Sequence, residues 1–350
     1  MLAALQVAYG TIEDSVRLEQ VPTPAPAEGE VLVRVAGSTL NRKDLFALAD
    51  LTGPGIRRRP PLPHVNGTDV WGTIAAVGRG VRGWSEGDRV VVYPGLYCGD
   101  CEWCMRGETS ACITYGVIGE QTWGGHAEFV SVPARNLEGI ADEVPDDVLA
   151  CACGSWLTAW RALVTVARVQ PGQTVLIVGA SGGVGTGAIR IAQLAGCRVI
   201  AIVGNGAKVE RAVAIGADHA IDYSNGEFQA RVLELTNGRG ADVALDSVGA
   251  STWRQTINGL ARFGQMTICG ATSGDAPAIS IRQIYQHHRQ ILGAPLGSRT
   301  EFRRLVDALA SRLLRPVVHL TLPLGRIHDG LRTLERRESF GKIAIVAAPA

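Results

Sequence analysis

Thr174-Val-Leu-Ile-Val-Gly179-Ala-Ser181-Gly182-Gly183-Val184-Gly185 is the stretch that decides the fold. Five consecutive residues with strand character run into four glycines, and an apolar, helix-compatible segment at 184–194 follows. Strand, glycine loop and helix together make a phosphate-binding turn. The glycines let backbone N–H groups approach a pyrophosphate, and the helix N-terminus adds a favourable dipole for the anion. A lone glycine motif would equally fit an ordinary βα turn. Here the alternation continues, with strands expected at 198–203, 220–222, 243–246 and 265–269 and a helix at 209–215. Such alternation predicts α/β architecture, a doubly wound parallel sheet of the Rossmann type over 151–294. Gly179, Ser181, Gly182, Gly183, Val184 and Gly185 are the expected cofactor contacts.

The second strand of this unit ends Ile202-Val203-Gly204-Asn205-Gly206-Ala207-Lys208. A site for NAD usually places Asp or Glu there to receive the ribose hydroxyls. This chain has Asn205 and then Lys208, which suits a 2′-phosphate and predicts NADP(H) preferred over NAD(H). The alternative is that Lys208 merely opens the next helix in solvent.

Outward from this unit, residues 1–150 are β-rich, with strands expected at 30–36 and 88–93, and residues 295–350 carry an amphipathic helix at 302–314 and a strand at 342–346. The last strand is expected to return to the first domain, so 1–150 and 295–350 form one domain, as a chain of 350 residues would suggest. A formal net charge of +1 gives no reason to expect nucleic acid or an anionic membrane as partner. Neither a signal peptide nor a membrane span is evident, so the cytoplasm is the expected compartment.

In that reducing setting, Cys98-x2-Cys101-x2-Cys104-x7-Cys112 reads as a metal lobe at 95–115. Four thiolates close a tetrahedral shell around Zn²⁺ and leave no position for a substrate, so one structural Zn²⁺ per chain is expected. Unligated cysteines or a redox cluster are the alternatives. The polar neighbours Asp100, Glu102 and Arg106 disfavour buried free thiols.

These features, in this order, resemble the zinc-type medium-chain dehydrogenase/reductase superfamily. The resemblance extends through Pro63-His-Val-Asn-Gly67-Thr-Asp69-Val-Trp-Gly72, Gly87-Asp88-Arg89-Val90, Leu157-Thr158-Ala159, Gly216-Ala217-Asp218 and Gly341-Lys342-Ile343. It implies a β-rich, interrupted-barrel (GroES-like) catalytic domain beside the cofactor domain, a cleft between them, and Thr158 and Lys342 at the cofactor. Alcohol dehydrogenases of the family hold a catalytic zinc with a Cys, a His-Glu pair and a second Cys. The matching positions here are Asn41, Thr68-Asp69 and Gly154. Asp69 alone keeps a ligating group, and a catalytic site needs about three protein ligands. Cys151, Cys153 and His64 are the residues a shifted site would use. Asn41-Arg-Lys-Asp44 and Gly67-Thr-Asp69 instead resemble the quinone oxidoreductase and enoyl reductase branch, which works without metal and usually lacks the cysteine lobe.

The function implied is hydride transfer from NADPH to a quinone or α,β-unsaturated carbonyl without catalytic zinc. The alternatives are an alcohol dehydrogenase with a shifted metal site and a non-catalytic cofactor-binding protein. Substrates in the leading reading are small carbonyl, enone or quinone molecules. Asn41 is the expected donor to the substrate oxygen, or else a loop brace. Asp44 is expected to orient backbone or cofactor, and Asp69 completes the group. Lys43 and Tyr115 are further donors, and Trp71, Trp123 and Trp156 are either pocket walls or core. The resemblance also implies pairing of the cofactor sheet across a two-fold axis near 290–294, giving a homodimer or homotetramer.

Overall fold

The computed structural model of the protein describes residues 1–49, 61–224 and 226–346. The chain divides into two compact units. One comprises Met1–Gly154, Ser298–Ala310 and Val318–Ala350, the other Ser155–Gly297 and Ser311–Val317. The short segment 311–317 thus departs from the expected division. The helix expected over 302–314 is Arg299–Ala310, and it stops before Arg312, whose φ of 61° is left-handed and cannot continue a right-handed helix.

In the first unit the main sheet has the order Leu137–Gly139, Arg89–Val92, Asp69–Val77, Glu30–Leu40, Lys342–Val346, Val318–Pro323, and Phe129–Pro133 also pairs with Glu30–Leu40. Glu30–Leu40 is the organising strand. Val31, Val33 and Val35 recur at every second residue and face a core with Val70, Ile74, Val90, Val92, Val130 and Val132. Asp69–Val77 runs antiparallel on one side of it, with Thr39 opposite Asp69, and Lys342–Val346 antiparallel on the other, with Leu40 opposite Ile343. Pairing register therefore brings the first residues of two distant strands to the same end of a third.

Trp71 lies opposite Gly37 in this ladder and is 1% exposed. A methyl group at Gly37 would come within 2.1 Å of the indole, so the absent side chain makes room for the ring. Trp71 is a core residue.

The second unit has the all-parallel order His219–Asp222, Arg198–Val203, Thr174–Val178, Ala241–Asp246, Leu260–Ile268, Gln290–Gly293. In sequence order this is 3-2-1-4-5-6, the doubly wound arrangement that places loops for a dinucleotide at the carboxyl ends of the central strands. All five residues of Thr174–Val178 are buried, as a central parallel strand covered on both faces requires. Helix Gly183–Leu194 follows, and Trp156 packs against its Gly187, where a methyl group would lie 2.7 Å from the ring. Trp156, 0% exposed, is thus core as well. Trp123 is 37% exposed. No single helix among the described residues is long and apolar enough to cross a membrane.

Candidate active site and metal lobe

The four cysteines of the lobe converge. Their Sγ atoms all lie within 4.8 Å of one another, with Cys98 to Cys112 at 3.5 Å and Cys98 to Cys104 at 3.9 Å. A tetrahedron of Zn–S bonds of about 2.3 Å requires sulfur–sulfur spacings of about 3.8 Å, so the cluster fits a structural zinc. The Cys112 thiol lies at about 6: burial opposes ionisation, but hydrogen bonds from Thr114 and from the Cys98 N–H outweigh it. Among the described residues, no other group of three or more His, Cys, Asp or Glu ligand atoms gathers in this way.

The positions matched to the catalytic-zinc ligands also come together, with different chemistry. Asp69 is 0% exposed and receives hydrogen bonds on Oδ2 from Thr39 Oγ1, from Asn41 Nδ2 at 2.9 Å and from Lys342 Nζ at 2.9 Å. Lys342 Nζ also donates to Asn41 Oδ1 at 2.7 Å. Burial would raise the Asp69 carboxyl. The Lys342 ammonium and the hydrogen bonds from Thr39, Asn41 and Lys342 outweigh that cost and hold it below the usual carboxylate range. At Gly154 a methyl group would lie 2.9 Å from Asp69 Oδ1, so a larger residue there would have to displace the carboxylate. Asp69 Oδ1 and Thr68 Oγ1 are buried and lack hydrogen-bond partners among the described residues.

Three of the expected site residues have partners within the protein. Asn41 was expected either to donate to a substrate oxygen or to brace a loop. Its Nδ2 donates to Asp69 and, at 3.3 Å, to Thr39 O, while its Oδ1 receives Lys342, so it braces the network. Lys342 was expected at the cofactor. Its side chain is 2% exposed, and its ammonium is turned inward to Asp69 and Asn41. Lys43 was considered as a donor and is ion-paired with Glu120 at 2.9 Å. Asp44, 5% exposed, accepts the Asn41 backbone N–H on Oδ2 at 2.6 Å and so caps helix Arg42–Leu48.

Two of the residues a shifted metal site would use have backbone carbonyls as neighbours. His64 Nε2 lies 3.2 Å from Gly119 O. The buried Cys153 thiol points to Val92 O at 3.7 Å, and burial together with the Asp69 charge pushes it well above the ordinary thiol range.

The glycine loop has the shape a dinucleotide requires. Gly179 takes a φ of 79°, and a methyl group at Gly185 would lie 2.4 Å from Gly179 O and Ala180 Cα. Helix Gly183–Leu194 starts there, with Gly182 before it, so its first N–H groups are available to an anion. Ser181 and Val184 are half-buried in the same turn, and Thr158 lies half-buried on helix Gly154–Trp160. Asn205 is exposed beyond strand Arg198–Val203, whereas Lys208 is 7% exposed rather than extended into solvent.

Three residues near this loop escaped the sequence reading. Tyr223 packs beside Gly204, and Asp222 Oδ2 lies 3.5 Å from where a Gly206 methyl would sit. Asp222 ends the neighbouring strand and Tyr223 follows it, and only the Val203 to Asp222 register shows them. Asp246, fully buried, accepts Val248 and Gly249 N–H and the Thr252 and Thr256 hydroxyls, and so fixes the turn after the fourth strand of the chain's parallel series.

A parallel dinucleotide sheet, a barrel-like β unit and a four-cysteine lobe define an oxidoreductase of the medium-chain type. Two family models agree: the alcohol dehydrogenase GroES-like domain matches residues 27–142 and the zinc-binding dehydrogenase domain residues 183–311. A solved NAD-dependent alcohol dehydrogenase superposes with a TM-score of 0.92 at 36% identity, covering 99% of this chain and 100% of that one. The NAD-dependent alcohol dehydrogenase of Sulfolobus acidocaldarius is 28% identical over 94% of this chain and 95% of its own length. The acryloyl-coenzyme A reductase of Metallosphaera sedula is likewise 28% identical, over 94% and 95%. The chain belongs to the zinc-type alcohol dehydrogenase-like medium-chain dehydrogenase/reductase superfamily.

Proposed function

We propose that the protein is an NADPH-dependent reductase of α,β-unsaturated carbonyl compounds or quinones that works without a catalytic zinc. The observation that carries this is the closed Asp69–Lys342–Asn41 network, a residue cation already seated among the positions that would otherwise supply the metal's ligands. A bound nicotinamide would supply the hydride, and the glycine loop Gly179–Gly185 with Thr158 would hold the cofactor. Asp69 and Lys342 neutralise each other, and Asn41 and Asp44 fix the strand-to-helix turn beside them. Such a site offers no Lewis acid to an alkoxide. It suits an acceptor whose new charge is delocalised as an enolate or phenolate, where point stabilisation matters less. The kinship with an acryloyl-coenzyme A reductase supports an activated alkene. The final proton is assigned to solvent.

NADPH is favoured over NADH by the missing carboxylate after Val203 and by Lys208. The Asp222 carboxylate nearby already receives the Ser224 N–H at 2.8 Å. Lys208→Ala should weaken NADPH more than NADH, and equal affinity of the unmodified protein for both cofactors would overturn this choice. The proposed assembly is a homodimer or homotetramer in the cytoplasm.

The relatives named alcohol dehydrogenases favour a second reading, alcohol oxidation at a shifted metal site. One assay separates the two: an enone, a quinone and a primary alcohol offered to one protein batch, with and without a chelator. Reduction of the enone or quinone should far exceed alcohol oxidation and survive the chelator. Alcohol oxidation that vanishes on chelation and returns with zinc would establish the second reading instead.

A further inference from the structure

A buried histidine sits between the two segments that supply the network, and no role assigned so far uses it. His126 is 3% exposed, in the turn before strand Phe129–Pro133. Its Nδ1 lies 2.8 Å from Ser38 Oγ, itself fully buried on the strand that ends at Leu40. Its Nε2 has no hydrogen-bond partner among the described residues and faces Asp44 Oδ1 at 3.8 Å. The ring also packs on the turn that delivers Asp69: a methyl group at Gly67 would lie 2.7 Å from His126 N and 2.8 Å from Nδ1. A small void beside the pair is lined by Asp44, Asn66 and His126 together with apolar Ala4, Val16, Leu48, Ile327 and Leu331.

The tautomer follows from these neighbours. A carboxylate oxygen can only accept, so an Nε2 lone pair facing Asp44 would be repelled. Nε2 therefore carries the hydrogen, and Nδ1 accepts from the Ser38 hydroxyl. Asp44 then has two separate tasks. Oδ1 faces His126, and Oδ2 holds the Asn41 N–H at 2.6 Å. Asn41 in turn bonds Asp69 and Lys342.

We propose that His126 is a positioning residue: as the Nε2–H tautomer anchored by Ser38, it holds Asp44, and through Asp44 it fixes Asn41 in the Asp69–Lys342 network. The consequence for turnover rests on the reductase reading above, whereas the link from His126 to Asn41 does not. His126→Leu removes the ring hydrogen bond to Ser38 and the polar Nε2 that faces Asp44, and His126→Gln restores a donor at similar reach.

The test combines two readouts on the full-length protein. Nitrogen-15 NMR of histidine-labelled protein, above a pH of about 8 where an ordinary imidazole is neutral, should show the Nε2–H form for the signal lost in His126→Gln. The Asn41 side-chain amide signals should move in His126→Leu and return towards their original positions in His126→Gln. With the best acceptor of the unmodified protein, kcat should fall about tenfold or more in His126→Leu, since small misplacement is costly. KM for NADPH should stay unchanged, and His126→Gln should recover most of the rate. An Nδ1–H tautomer, or an Asn41 amide indifferent to both substitutions, would overturn the proposal. If the NMR shifts appear and no acceptor is turned over, the positioning link stands and the reductase reading fails. If the shifts appear but kcat is untouched in an active protein, the catalytic consequence is refuted.

Discussion

Asp69 and Lys342 are 1% and 2% exposed at their side chains, a placement that would be very costly for either charge alone. Asp69→Asn leaves the ammonium uncompensated and should destabilise the protein by about 3–5 kcal/mol at neutral pH, as read from denaturant midpoints. The pH dependence has a definite sign. The carboxyl is held below its ordinary value in the folded state, so the unfolded chain, at about 3.9, binds the proton first. The pair's contribution is therefore present above about pH 4 and is lost as pH falls through the lower, folded value. Unfolding curves from pH 7 down should show the unmodified protein losing stability in this acid range and Asp69→Asn losing less. Parallel pH profiles would contradict the ion-pair account. This network was the least legible part of the sequence. Asn41 and Asp69 are 28 positions apart and Asp69 and Lys342 273, so no local pattern joins them. The matched ligand positions showed only that Asn41, Thr68-Asp69 and Gly154 stand where the resembling dehydrogenases have zinc ligands. They did not show that Lys342 would pair with Asp69 and Asn41.

At the scale of elements, local signals were read well because their contacts are local. Strand Thr174–Val178, the glycine loop and the four cysteines each lie within one short stretch. Register was not readable, and it is register that opposes Thr39 to Asp69 and Gly37 to Trp71. Both Trp71 and Trp156 were ambiguous between pocket and core, since an indole serves either. The glycine facing each decides the matter, and that glycine is found only across the fold. Gly37→Ala should therefore destabilise the first unit by about 1–3 kcal/mol through overpacking, measurable by thermal unfolding. Unchanged stability would mean the indole has room to move. In the metal lobe, Cys101→Ser should lower zinc content and Tm together, because a structural metal contributes folding free energy. A variant that keeps its Tm after losing zinc would remove the structural role.

For the whole molecule, the sheet of the second unit ends on Gln290–Gly293, a strand left half-exposed, with Phe263, Ile281 and Tyr285 more than half exposed nearby in the chain. An uncovered edge beside apolar side chains invites pairing with a second copy. Light scattering at working concentration should give at least a dimer, and a monomer would contradict that expectation. The central claim concerns metal: the lobe has a complete ligand set, while Asp69 of the Asn41–Asp69–Gly154 site pairs with a lysine ammonium and belongs to no group of three or more His, Cys, Asp or Glu ligand atoms among the described residues. Elemental analysis of purified, well-folded protein measures this most directly. The account predicts about one equivalent of zinc per chain, because only the closed four-thiolate shell has enough ligands, and that equivalent should disappear in Cys101→Ser. Two tightly held equivalents, one of them surviving in Cys101→Ser, would contradict it.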